Sequence, residues 1–146
     1  MVTCGRCGAS AAAGARFCGD CGAAPADPAT TELIALLDGH RPGQLAPMLR
    51  AERGLARARL SASDCDPAGA AALFAAAITG LRQHSTPYHL AHGLLDHAEH
   101  LLRTGDTEAA GAAIREAAGI AQRLRCQPLL DRANTIQPAR SRTAAS

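Results

Sequence analysis

The chain has 146 residues, 47% of them hydrophobic but only 2% aromatic, and a formal charge of +2 from fifteen arginines, no lysine and thirteen acids. One modest core plus a mini-domain is the ceiling for this length, and alanine and leucine in place of aromatic bulk favour closely packed helices. The arginines are scattered, which implies no polyanion partner. The longest apolar run, Ala70–Ile78, is too short to span a bilayer, and no apolar stretch of a secretory signal precedes Cys4 and Arg6, so a soluble, cytoplasmic protein is expected.

Residues 1–24 carry Cys4-Gly5-Arg6-Cys7-Gly8 and Cys18-Gly19-Asp20-Cys21-Gly22, with ten residues between Cys7 and Cys18. Two residues inside each cysteine pair let one tight turn aim both sulfurs at one ion, and the glycine after each pair admits the positive φ that such a turn needs. Cys4, Cys7, Cys18 and Cys21 are therefore expected to hold one structural Zn²⁺ as thiolates, leaving no open position for substrate or water. Six cysteines, four of them in such pairs, read as metal ligation in a reducing compartment and not as a disulfide scaffold. The segment resembles the short zinc ribbons at the ends of many bacterial regulatory proteins, in which a CxxCG…F-CxxCG pattern recurs, with Phe17 before the second pair. That resemblance implies contact with protein or with nucleic acid. Arg6 and Arg16 stand against Asp20 and Asp27, and four thiolates outweigh one Zn²⁺, so the loaded ribbon is net negative and repels phosphate.

Pro25 and Pro28 mark residues 25–29 as a linker. A helical domain over 30–136 follows. Thr30 or Thr31 caps a short helix carrying Leu33, Ile34, Leu36 and Leu37, which Gly39 ends. A second helix is expected over about 45–60, a third from Asp66-Pro67 to about Gln83, and a fourth from Ser85 or Thr86, with Pro87, to about Arg103. Gly105-Asp106 turns the chain into a fifth helix, Thr107 to about Arg125, and Pro128 opens a last one to about Ile136. Residues 137–146 read as a disordered tail.

At an offset of 40 the chain matches itself: Leu55 with Leu95, Ala58 with Ala98, Asp66 with Asp106, Ala70 with Ala110, Phe74 with Ile114 and Ala77 with Ala117. One helix-turn-helix unit is used twice. Leu94, Ala98, Leu101, Gly105-Asp106, Ala110, Ile114 and Ala117 sit at the spacing of a tetratricopeptide repeat, which this region resembles, with a longer period and leucines at the aromatic positions. The run from Thr86-Pro87-Tyr88 to Gln127-Pro128 is similar to the C-terminal repeats of large bacterial signalling ATPases and nucleotide-cyclase regulators, and this similarity implies a sensing or partner-binding surface. The competing reading is an ordinary small helical bundle.

On the fourth helix, His89, His92, Asp96, Glu99 and His100 fall on one arc and the leucines on the other. The preferred reading of that arc is a solvated polar face; a second metal site or a pH-sensitive face is the alternative. Cys65 and Cys126 read as free thiols, and no catalytic arrangement emerges from spacing.

The expected protein is an all-α helical-repeat chain of tetratricopeptide-like hairpins behind an N-terminal zinc ribbon, acting as a non-catalytic adaptor or regulatory module that binds another protein. One rival is a zinc-ribbon nucleic-acid-binding transcriptional regulator, which salt-dependent retention on DNA would favour. Another is the detached regulatory tail of a cyclase or ATPase signalling protein. A hydrolase using the histidine arc would require more than one metal per chain. Solenoids usually need three or more repeats and this chain has about two, so an apolar flank is left to invite a partner or a second copy.

Overall fold

The computed structural model describes residues 2–3, 9–11, 28–41, 43–63 and 66–136. Two short strands, β1 (Val2–Thr3) and β2 (Ser10–Ala11), pair antiparallel with Val2 opposite Ala11 and Thr3 opposite Ser10. Six helices follow: α1 (Pro28–Asp38), α2 (Pro47–Ser63), α3 (Pro67–His84), α4 (Pro87–Thr104), α5 (Thr107–Arg123) and α6 (Gln127–Ile136). The chain falls into two compact units, Met1–Gly80 and Leu81–Ser146. None of the helices is long and apolar enough to cross a membrane, among the described residues.

Proline sets four of the six helix starts. Pro28, Pro47, Pro67 and Pro87 each occupy the first helical position, where the missing N–H costs nothing and the fixed φ is already helical. For this reason α1 starts inside the expected linker, before Thr30, and α2 starts two residues after Leu45. Asp66 and Asp106 cap in the same way. The Gly69 N–H donates to Asp66 Oδ1 at 2.9 Å and the Ala109 N–H to Asp106 Oδ1 at 3.0 Å.

In the first unit, α1 packs on α2, and their joint is charged: Asp38 accepts from Arg57 at 2.5 Å and lies 3.5 Å from Arg53. The Arg57 hydrogen bond holds the Asp38 carboxyl below the usual carboxylate range. Against α2, α3 comes close enough that a Cβ on Gly80 would sit 3.1 Å from the Ala51 Cβ. In the second unit α4, α5 and α6 pack pairwise on one another.

The five apolar pairs named above are all buried: Leu55 and Leu95, Ala58 and Ala98, Ala70 and Ala110, Phe74 and Ile114, Ala77 and Ala117. The repetition extends further. The leading helices α2, α4 and α6 begin at residues 47, 87 and 127, and the trailing helices α1, α3 and α5 at 28, 67 and 107. In the trailing set, Ile34, Phe74 and Ile114 are equivalent, and all three are buried. The chain thus holds two full hairpins, α2–α3 and α4–α5, with a trailing helix ahead of them and a leading helix behind.

Two helices in the second unit end alike. After α4, Gly105 takes φ 91°, the Asp106 N–H reaches the Leu101 carbonyl at 2.9 Å and the Gly105 N–H reaches Leu102 at 3.3 Å. After α5, the Cys126 N–H reaches Ala121 at 2.9 Å and the Arg125 N–H reaches Gln122 at 3.1 Å, but the left-handed residue is Arg125, at φ 52°. An arginine there bears a left-handed strain of about 1–2 kcal/mol that glycine escapes, against a chain-entropy cost for glycine of about 0.5–1. Arg125→Gly is therefore expected to stabilise the protein by up to about 1 kcal/mol, read as a higher thermal midpoint.

Candidate functional site

The four expected zinc ligands, Cys4, Cys7, Cys18 and Cys21, lie outside the described residues, as do Phe17, Cys65, residues 25–27 of the linker and the 137–146 tail. What is described nearby is the strand pair on either side of residues 4–8. With Thr3 paired to Ser10, β1 and β2 close a hairpin whose connecting segment contains both Cys4 and Cys7.

The histidine arc of α4 differs from its expected form. His89, His92 and Glu99 lie toward the surface, but Asp96 is only 9% exposed and His100 only 3%. At Asp96 the arc meets a cation supplied by α6 in place of solvent. Arg132 donates to Asp96 Oδ1 at 2.5 Å and to Glu99 Oε1 at 3.1 Å, and its other terminal nitrogen lies 3.3 Å from His92 Nδ1. Burial draws the Arg132 pKa down, but the hydrogen bonds and charges of Asp96 and Glu99 outweigh it and leave the guanidinium above its ordinary value. At the head of the same helix, Tyr88 meets His92 edge-on at 4.7 Å and His89 at 5.5 Å, and Thr86 Oγ1 lies 2.7 Å from His89 Nδ1.

This arrangement has a definite chemical character. Both carboxylates of the arc are engaged by one guanidinium, so the cluster ties α6 to α4. Among the described residues, no three His, Cys, Asp or Glu side chains form a group that could hold a metal ion. The i, i+4, i+8 stack of His92, Asp96 and His100 therefore does not assemble the second metal site weighed from the sequence. Arg132 was not legible there: it lies 36 residues from Asp96, in the next leading helix, and no local pattern connects them. Cys126, between α5 and α6, is a free thiol of intermediate exposure.

His97, one residue past Asp96, carries a pH dependence. Burial lowers its pKa below the ordinary 6.5, and the neighbouring His100 lowers it further, while Asp106 pulls it upward. A depressed folded-state pKa means that protonation favours the unfolded chain, so this contribution is complete above about pH 6.5 and is lost as the pH falls below it. The thermal midpoint is expected to drop between pH 7 and 5, and His97→Gln to flatten that slope; equal slopes in the two proteins would contradict the assignment.

Comparison of the chain with models of protein families, with curated proteins and with solved structures finds no match.

Proposed function

We propose that the chain is a zinc-binding adaptor: a Cys4 ribbon formed by Cys4, Cys7, Cys18 and Cys21 around one structural Zn²⁺, followed by tetratricopeptide-like helix hairpins that engage another protein, in a cytoplasmic regulatory role. The observation that carries this reading is the twofold use of one hairpin with matched burial, matched caps and matched helix starts. Repetition of that kind multiplies surface in place of building one enclosed pocket, and such surface serves binding. The strand pair flanking Cys4 and Cys7 supports the ribbon. With sulfur filling all four positions, the metal stabilises local structure and offers no site for chemistry.

The test is affinity purification from the native cell with the wild-type chain beside a Cys4→Ser/Cys7→Ser variant. A specific protein partner retained by the wild type supports the reading, and the variant shows whether the ribbon or the helices hold it. Retention of nucleic acid alone, lost as salt rises, would replace the reading with a nucleic-acid-binding one.

A further inference from the structure

We draw no further inference here: the strongest candidate, the exposed apolar patch of Leu33, Leu36 and Leu49 on the α1–α2 pair, carries nothing, because nothing in the structure shows what covers it.

Discussion

Purified wild-type chain is expected to contain one zinc per molecule, and the Cys4→Ser/Cys7→Ser variant none. Structural sites of this kind bind with roughly 10–16 kcal/mol at neutral pH, far more than 24 residues with a single aromatic could gain by burial. Residues 1–24 are therefore expected to fold only with the metal, and chelation to make Arg6 and Arg16 cleavable by trypsin while the helices resist. Elemental analysis and the proteolytic pattern read the two halves of the prediction separately. A wild-type chain without stoichiometric zinc, its Cys4, Cys7, Cys18 and Cys21 all alkylated freely at pH 7, would remove the ribbon from the account.

Arg132→Ala is expected to be the most damaging single substitution among the charged residues. It removes the cation from Asp96, whose side chain is 10% exposed, and leaves a carboxylate without its main counter-charge in a largely dry setting. Breaking a buried pair from one side costs about 3–5 kcal/mol, and since Arg132 itself is 30% exposed, a loss of about 2–3 kcal/mol is the reasonable figure. Glu99, at 48%, is solvated enough to contribute little. The discriminating control is Asp96→Leu/Arg132→Leu, which removes both charges and fills the space with apolar groups. Chemical denaturation should show the double variant more stable than Arg132→Ala. If the single variant matches the wild type, the cluster is not what ties α6 down.

The helices were legible in the sequence because their punctuation is chemical and local. Asp66-Pro67, Thr86-Pro87 and Gly105-Asp106 each state a boundary, and the offset of 40 reveals the hairpin because burial and capping impose the same residues twice. Pro28 reads in the sequence as a linker residue because nothing before it forms a period, although it opens α1 by the same rule as Pro67. The equivalence of Ile34 with Phe74 and Ile114 is hidden for a different reason: α1 is short, and its leucines Leu33 and Leu36 are exposed. The polar arc of α4 reads in the sequence as a solvated face because helical periodicity shows which residues share a face, and is silent about which distant element lies on it. Arg132 covers that face from α6, and only the fold brings the two together. In the ribbon the position is reversed: cysteine spacing speaks strongly for a metal, while its ligands lie outside the described residues.

Proline and aspartate recur at the helix starts together with the hairpin itself. Because α2 and α4 both begin on proline, and α3 and α5 both follow a capping aspartate, each forty-residue stretch brings its own helix-start signals with it. Copying or deleting one whole stretch would leave well-formed seams on either side, so lineages of this chain could lengthen or shorten in steps of a complete hairpin without inventing new turns.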